Sequence, residues 1–365
     1  MKAAVLTEIL KPLEILDLDQ EGPRAGEARV TVMATGVCMS DWHMMNGDWP
    51  AKLPLVPGHE AAGVVAEVGP GPSPVRPGDH VIFSFQSHCG HCRYCFSGRS
   101  VLCVGHAKTP GHLLPDGSTR MFLHGEPVGQ MARVGTFREE VVCSTENLVP
   151  VRKDLPWAVA ALIGCSVATG IGAVIRHARV EAGATVMVVG CGGVGLNIVQ
   201  GARLAGAGRI IAVDILDNKL DYARRFGATD TINAKTVGNV VKTVKGLTGL
   251  GVDYAFDAIG TEGTVLQIVD CLAPGGRAVM VGIPPVTVKA PISPASMVFQ
   301  EKSLTGSFYG SIQPDRDFPL LADLYMNKKI DLDPLISRTY RLDEINEGFD
   351  QLRQGSVARG VVLMH

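Results

Sequence analysis

The sequence is short of aromatic residues, has almost no excess of one charge, and begins with nothing like a signal peptide. Of its 365 residues, 5% are aromatic, and the formal net charge is −2 at pH 7. Charges this balanced and interspersed favour neither a nucleic-acid nor a membrane partner. Glu8 interrupts the N-terminus before an apolar core forms, and no apolar run approaches the ~20 residues of a membrane span. We therefore expect a cytoplasmic protein.

What the chain does contain suits an α/β enzyme. Its length allows two domains, each with its own core, and 46% hydrophobic residues with 43 glycines indicate many tight turns. Strand-like runs dominate residues 1–83 and predict a β-rich first domain. The nine cysteines are an odd number, and four of them fall within residues 89–103. In a cytosolic chain this pattern favours metal binding over disulfides.

The segment from Gly36 to His43 follows a strand-like run and contains a thiol, a hydroxyl, a carboxylate and an imidazole. Two cysteines and one histidine from three segments, Cys38, His59 and Cys165, are the ligand set of an open catalytic zinc site. Two thiolates cancel the zinc charge, so the site can still polarise an alcohol or carbonyl oxygen. Each residue taken alone fits a buried cysteine or a capping histidine better, but the three together favour zinc.

Four further cysteines lie in a short polar lobe, residues 89–103. Cys89, Cys92, Cys95 and Cys103 are three, three and eight positions apart, which predicts a closed tetrahedral zinc site. The lobe is too small to bury its own core, and structural zinc contributes roughly 10–16 kcal/mol in small peptides. An iron–sulfur centre is the alternative. The polar connection that follows, residues 105–140, is predicted to be a loop that lines a cleft or a subunit contact.

A glycine-rich turn marks the second half of the chain. The apolar run from Ala184 to Val189 leads into Gly190-Cys191-Gly192-Gly193-Val194-Gly195 and then a helix, the arrangement of a dinucleotide-binding turn. Gly190 allows the tight turn, Gly192 lets the backbone approach a pyrophosphate, and Gly195 lets helix and strand pack. The N–H groups at the helix start favour phosphate. Later strand and helix patterns complete a doubly wound parallel sheet.

The second strand of this region ends in Asp214, 24 residues after Gly190. Its carboxylate is placed to accept hydrogen bonds from the adenosine ribose of a dinucleotide. The same negative charge would repel a 2′-phosphate, so NAD is favoured over NADP. The alternative is an aspartate that only caps a turn.

Together these motifs resemble the zinc-dependent medium-chain alcohol dehydrogenases over essentially the whole chain, as far as Asn346-Glu347-Gly348-Phe349-Asp350. The resemblance implies a GroES-like catalytic domain, residues 1–166 and 309–365, and an NAD-binding Rossmann domain, residues 167–308. It also implies two zinc ions per subunit, a small alcohol or aldehyde substrate, and a homodimer, with a tetramer as the alternative.

The resemblance also assigns roles to single residues. Asp41 matches the carboxylate that orients the zinc-binding imidazole, and Glu60 matches a buried acid behind the metal. Ser40 and His43 match a relay that carries the alcohol proton to solvent. The implied cofactor contacts are Gly190, Gly192, Gly193, Val194, Gly195, Asp214, Lys219, Thr169, Ile259, Ile283 and Arg359, the last at the pyrophosphate. The implied substrate pocket contains Ser40, Trp49, Phe85, Phe137, Ile283 and Phe308.

The pocket set is apolar and rich in aromatic residues, which favours a primary alcohol with an aliphatic or aryl tail over a sugar. Two positions depart from the family. Met39 stands where relatives often have a cation against the pyrophosphate, so we expect weaker NAD binding. Ala107 stands where the glutathione-dependent branch has an arginine. The remaining hypotheses are an S-(hydroxymethyl)glutathione dehydrogenase, a nicotinoprotein with tightly held NAD, and a zinc- and NAD-binding structural or sensing protein without turnover.

Overall fold

The computed structural model describes residues 1–364, and backbone contacts divide them into two compact units. The first contains Met1–Cys165, Gln313–Lys328 and the chain from Leu332 onwards, and the second contains Ser166–Ile312 and Lys329–Asp331. The predicted domains, 1–166 with 309–365 and 167–308, stay a prediction. Their last residue, His365, lies outside the described residues.

The first unit is organised around the long strand Glu27–Val37, which pairs antiparallel with three neighbours. Alternating apolar residues fill one face up to Ala34, and from there to Val37 every residue is buried. The sheet order is Leu148–Pro150, His80–Phe83, Ala61–Val68, Glu27–Val37, Arg359–Leu363 and Ile336–Tyr340, with Glu140–Ser144 also paired to Glu27–Val37. The predicted β-rich first domain is confirmed, and the strand Arg359–Leu363 near the end of the chain belongs to its sheet.

Short elements complete this unit. Its smaller sheets are Lys2–Val5 with Glu14–Asp17, Leu55–Val56 with Gly129–Gln130, and Asp19–Gln20 with Met121–Leu123 and Glu126–Pro127. Its helices are Met39–Met45, Arg93–Phe96, Trp157–Leu162, Pro314–Met326 and Ile345–Gln354. Phe137, Phe349 and Tyr340 belong to one apolar cluster of the unit.

The prediction of a plain loop over residues 105–140 was wrong in part. This stretch contains three of the short strands, and Leu114, Met121 and Val128 are fully buried in the core. Arg120 is also fully buried, and its Nε donates to Glu27 Oε2 at 2.9 Å. The segment folds inwards because apolar residues recur between its turns and its buried guanidinium finds a carboxylate partner.

The second unit contains a six-stranded sheet in which every strand is parallel to its neighbours. Its order is Asp230–Asn233, Arg209–Asp214, Thr185–Val189, Val252–Asp257, Leu272–Met280 and Ser303–Gly306. The helices are Ala168–Gly172, Gly193–Leu204, Asp217–Phe226, Val240–Thr248, Glu262–Asp270 and Pro294–Phe299. The chain runs outwards from a central strand in both directions, which is the doubly wound Rossmann arrangement that the sequence predicts.

The helical stretch Trp157–Ala178 corrects one expectation. By length and composition it could cross a membrane, although 89% of its apolar window is buried within the protein. We had expected no run of this length. The apolar character is that of a core helix, because its side chains are covered by protein. A wider π-type turn, Ile163–Val167, interrupts it, and a second one, Ala173–Ala178, ends it.

Two glycines of the second unit should respond oppositely to replacement by alanine. An added Cβ at Gly195 would lie 1.7 Å from Gly190 O, whereas one at Gly246, within Val240–Thr248, would meet nothing within 4 Å. We expect Gly195→Ala to lower the free energy of unfolding by at least about 2 kcal/mol. Gly246→Ala should raise it by about 0.5–1 kcal/mol.

Denaturant unfolding of the two variants beside the unaltered protein measures both changes. A Gly195→Ala protein as stable as its parent would contradict this close approach of helix and strand.

Candidate active site

The strand Glu27–Val37 runs directly into the helix Met39–Met45, and Cys38 sits at the junction as the residue that caps the helix. Asp41, in the first turn, accepts a hydrogen bond from the backbone N–H of Cys38 through Oδ2 at 3.2 Å. A carboxylate in this position accepts from one of the free N–H groups at the helix start, and its negative charge interacts favourably with the helix dipole. The thiol is thereby fixed on a rigid corner of the fold.

The other oxygen of Asp41 holds His59. Oδ1 accepts from the backbone N–H of Gly58 at 2.9 Å and from His59 Nδ1 at 3.0 Å, and both side chains are buried. Because a carboxylate only accepts, Nδ1 carries a proton and Nε2 is left for a metal. Burial lowers the pKa of His59, but the charge and hydrogen bond of Asp41 outweigh it and raise that pKa to about 10.

Cys165 completes the set from the first π-type turn, a local widening that is frequent at functional sites. His59 Nε2 lies 3.3 Å from Cys165 Sγ, and the ligand atoms of Cys38, His59 and Cys165 all lie within 4.8 Å of one another. Tetrahedral zinc would space such atoms about 3.5–3.8 Å apart. The three residues therefore fit a zinc ion.

The pKa values of the two thiols in this set shift in opposite directions. The hydrogen bond from Cys165 lowers the pKa of Cys38 well below its usual value, burial opposes this, and the charges of Arg359 and His59 add to the lowering. The pKa of Cys165 rises, because Cys38 takes the hydrogen bond and burial disfavours a second charge. A thiolate already stabilised in a buried site is what a cation needs as a first ligand.

A buried ion pair lies behind these ligands. Arg359 Nη2 contacts Glu60 Oε2, and both residues are buried. Glycine at position 36 provides the space for this pair, since a Cβ there would lie 2.5 Å from that carboxylate oxygen. Sequence reasoning gave Arg359 only a pyrophosphate contact, which stays a prediction. It missed the pairing with Glu60, which depends on two segments far apart in the chain.

The cysteine lobe forms the second group of metal-ligand type. The four sulfurs of Cys89, Cys92, Cys95 and Cys103 lie within 4.8 Å of one another, all half-buried. Backbone N–H groups of Cys89 and Gly105 donate to Cys103 Sγ at 3.2 and 3.3 Å. Backbone hydrogen bonds, the largest from Cys95, lower the pKa of Cys92 to about 6, whereas burial raises that of Cys95 to about 12. The donor set fits a closed zinc site.

The two predicted relay residues share the helix Met39–Met45, three positions apart and so on one face. Ser40 Oγ lies 3.8 Å from Cys38 Sγ. His43 Nδ1 lies 2.8 Å from Asp48 Oδ2, and its ring stacks on Trp49 with centroids 5.0 Å apart. Sequence reasoning missed Asp48 as a partner of His43. An acid five residues after a histidine, beyond a glycine turn, was the available signal.

The predicted substrate-pocket residues separate into three groups. Phe85 meets the His59 ring edge-on with centroids 5.4 Å apart, and Trp49 lies on His43. Phe137 is fully buried in the core against Phe349, so its predicted place in a pocket is corrected to packing. Phe308 and Ile283, in the second unit, are partly exposed, and their role stays a prediction.

The glycine-rich turn of the second unit has the geometry that the sequence predicts. Gly190 has φ +89°, a left-handed conformation that favours glycine, and Gly192 has open space where a side chain would stand. Gly192 caps the helix Gly193–Leu204, which begins with Gly193, Val194 and Gly195. The backbone N–H groups of this first turn suit a pyrophosphate, although the contact itself stays a prediction.

Asp214 ends its strand and caps the turn that follows. Its carboxylate accepts from the backbone N–H groups of Cys191 at 2.7 Å, Ile215 at 2.7 Å and Leu216 at 3.0 Å. The turn-capping alternative is therefore part of its role, and a ribose contact stays a prediction. Lys219 is buried nearby; burial lowers its pKa, which the charge of Asp214 counteracts. Thr169 is buried and Ile259 exposed, and their cofactor roles are likewise untested.

Comparison with known proteins agrees with both units. Residues 24–153 match the family model of the alcohol dehydrogenase GroES-like domain, and residues 193–327 match that of the zinc-binding dehydrogenases. An S-(hydroxymethyl)glutathione dehydrogenase of Paracoccus denitrificans is 41% identical, with 99% of each chain covered. An NDMA-dependent alcohol dehydrogenase of Amycolatopsis methanolica is 40% identical, with 99% of this chain and 98% of the relative covered.

Among solved structures, the benzyl alcohol dehydrogenase of Acinetobacter calcoaceticus superposes with a TM-score of 0.94 at 30% identity, covering 100% of this chain and 99% of that one. The chain belongs to the zinc-dependent medium-chain alcohol dehydrogenase family. It is an enzyme that oxidises alcohols, with a small-molecule substrate and with zinc and NAD as its cofactors. The hypothesis of a sensing protein without turnover is thereby set aside.

The hydrogen bonds of Asp41 predict how the catalytic zinc responds to its loss. Asp41→Asn keeps the side-chain volume but removes the charge on which His59 and the Cys38 N–H depend. We expect zinc affinity at this site to fall about 10- to 100-fold, while the cysteine lobe keeps its zinc.

Metal content measured after dialysis against a graded chelator series separates the two sites. The role of Asp41 would be contradicted if the variant lost both zinc ions at the same chelator concentration. It would also be contradicted if the variant kept both ions as long as the unaltered protein does.

Proposed function

We propose that this enzyme oxidises primary alcohols with an aliphatic or aryl tail to aldehydes, and catalyses the reverse reaction, with NAD. The observation that carries the proposal is the aromatic lining beside the ligand set, where Phe85 meets the ring of His59 edge-on. Apolar and aromatic walls with few polar groups suit a hydrocarbon tail. A solved relative named for benzyl alcohol supports the same substrate class.

The site residues of the first unit then have defined roles. Cys38, His59 and Cys165 hold the zinc, and Asp41 fixes the imidazole by its hydrogen bond to Nδ1. Zinc, when bound, supplies a Lewis acid that makes an alcohol hydroxyl more acidic without adding net charge to a two-thiolate site. The charge of Arg359, paired with Glu60, further stabilises the thiolate form of Cys38.

The proton of the alcohol requires a route to solvent. Ser40 stands at the start of the helix beside Cys38 and offers a hydroxyl that both accepts and donates a proton. His43, one turn along the same face, is partly exposed and can pass the proton to water. In the second unit, the turn from Gly190 to Gly195 binds NAD, and Asp214 disfavours a 2′-phosphate by its charge.

The names of two relatives suggest two alternative activities. The Paracoccus relative acts on S-(hydroxymethyl)glutathione by name, but Ala107 offers no charge for a glutathione carboxylate. The Amycolatopsis relative is named NDMA-dependent, which fits the hypothesis of a nicotinoprotein that keeps NAD bound. A polyol would suit a more polar pocket than Trp49 and Phe85 provide.

The substrate class is tested by a panel of aliphatic, benzylic and polyol alcohols, each with NAD and with NADP. We expect benzylic and medium-length primary alcohols to have the highest kcat/KM, with NAD at least about tenfold preferred because of Asp214. Formaldehyde oxidation that appears only with added glutathione would replace this proposal by the glutathione adduct. NADH absorbance in the freshly purified protein would indicate the nicotinoprotein.

We also propose a cytoplasmic homodimer, with a tetramer as the alternative. All nine cysteines are free thiols, which suits a reducing compartment. Among residues 1–364, the strand Ser303–Gly306 pairs only with Leu272–Met280 and so forms an edge of its sheet. Just before it in the chain, Val298 and Phe299 are 74% and 87% exposed. An open edge with apolar neighbours favours pairing with a second copy.

The dimer is tested with a charge placed on that surface. Phe299→Glu should shift the sedimenting species from twice 38.7 kDa towards 38.7 kDa, because a buried charge without a partner disfavours association. Leu250→Glu is the matched control, since Leu250 is 73% exposed after a different helix. Equal masses for the two variants would contradict this interface.

A further inference from the structure

His43 is held from two sides by residues that follow its helix. Its Nδ1 lies 2.8 Å from Asp48 Oδ2, and its ring stacks on Trp49 at an interplanar angle of 30°. The backbone N–H groups of Asp48 and Trp49 donate to the His43 carbonyl at 2.9 and 3.3 Å. The turn therefore folds back over the histidine and does not leave it free on the surface.

Asp48 is itself fixed in place. Asn46 Nδ2 donates to its second oxygen, Oδ1, at 3.1 Å. Gly47, between them, has φ +78°, and a Cβ there would lie 2.9 Å from Ile9 Cγ2, so the turn needs glycine. The turn Asn46-Gly47-Asp48 thus holds the Asp48 carboxylate in place, with Oδ2 directed at the Nδ1 of His43.

The chemistry of the pair determines which ring nitrogen is basic. The hydrogen bonds from His43, first, and from Asn46 keep the pKa of Asp48 below its usual value, so it is ionised at neutral pH and only accepts. The proton between the two residues therefore belongs to His43 Nδ1, and the neutral ring presents Nε2 as its proton acceptor. Among the described residues, Asp48 is the acidic group within hydrogen-bond reach of His43.

We propose that Asp48 is a positioning residue of the proton relay, which fixes the tautomer of His43 and holds its ring in place. The inference rests on the relay in the proposed function and adds to it the residue that makes His43 a defined base. It concerns this chain's own turn, Asn46-Gly47-Asp48-Trp49. The pattern parallels other sites in which a carboxylate holds Nδ1–H so that Nε2 takes the proton.

The proton balance of the step is complete within the pair and water. Nε2 receives the proton that leaves the alcohol hydroxyl by way of Ser40, and the ring becomes a cation while Nδ1–H stays bonded to Asp48. The carboxylate offsets that charge. Nε2–H then gives the same proton to water, and the ring returns to neutral. The side chains of His43 and Asp48 are 22% and 27% exposed, so solvent reaches the pair.

The test is a cycle of Asp48→Asn, His43→Ala and the double variant, with kcat and KM for alcohol oxidation measured across pH. His43→Ala should lower kcat about 10- to 100-fold by loss of the base, and Asp48→Asn about tenfold. The KM values should stay within twofold.

The double variant should lose nothing beyond His43→Ala, since the two residues act as one unit. Asp48→Glu should restore part of the rate, and Asp154→Asn, which removes an exposed carboxylate paired with Arg152, should match the unaltered enzyme. Unaltered zinc content in every variant shows that the fold is intact.

Two results overturn the inference. An Asp48→Asn variant with unchanged kcat would remove Asp48 from the relay while His43 keeps its role. An equal further loss in the His43→Ala background shows that Asp48 acts elsewhere. His43→Ala at full kcat would instead overturn the relay of the proposed function itself.

Discussion

The buried carboxylate of Asp41 is the contact on which the first unit's ligand set depends. It receives N–H groups from Cys38, Gly58 and His59, and so joins the start of a helix to a segment some twenty positions further along the chain. A buried charge with three donors is stabilised, whereas the same charge with fewer would be costly. The fold therefore brings the thiol and the imidazole together before any metal is bound.

Charge balance around that carboxylate explains the neighbouring residues. Asp41 and the Cys38 thiolate are negative, His59 is favoured in its charged form until a metal takes Nε2, and Arg359 faces Glu60 as a second buried pair. Buried ions are tolerated when each has a partner. Exchange of two protons, one from the His59 imidazole and one from the Cys165 thiol, for one divalent cation leaves the net charge of the cluster unchanged, which is the condition a metal site of this type must meet.

Much of this could be predicted from the sequence, because the signals were local or had fixed spacing. The cysteine lobe, the turn from Gly190 to Gly195 and the set of Cys38, His59 and Cys165 each combine residue types with a known spacing. Asp214 was ambiguous, and its turn-capping hydrogen bonds coexist with its predicted role. The parallel sheet followed from alternating apolar strands and helices.

Other features depend on contacts between distant segments, or on a turn whose geometry no motif describes. Arg359 contacts Glu60 across the strand Glu27–Val37, which lies between Arg359–Leu363 and Ala61–Val68 in the sheet, and Phe137 packs against Phe349 from a helix near the end of the chain. Within residues 105–140, apolar side chains between the turns are buried in the core. The contact of Asp48 with His43 could not be predicted without the geometry of the turn at Gly47. Spacing along the chain carries no information about such pairs.

Metal content of the purified protein, beside that of a Cys165→Ser variant, tests the central claim most directly. The account predicts two zinc ions per chain in the unaltered protein and one in the variant, since the lobe of Cys89, Cys92, Cys95 and Cys103 keeps its ion. One ion in the unaltered protein, or two in the variant, would contradict a catalytic zinc held by Cys38, His59 and Cys165.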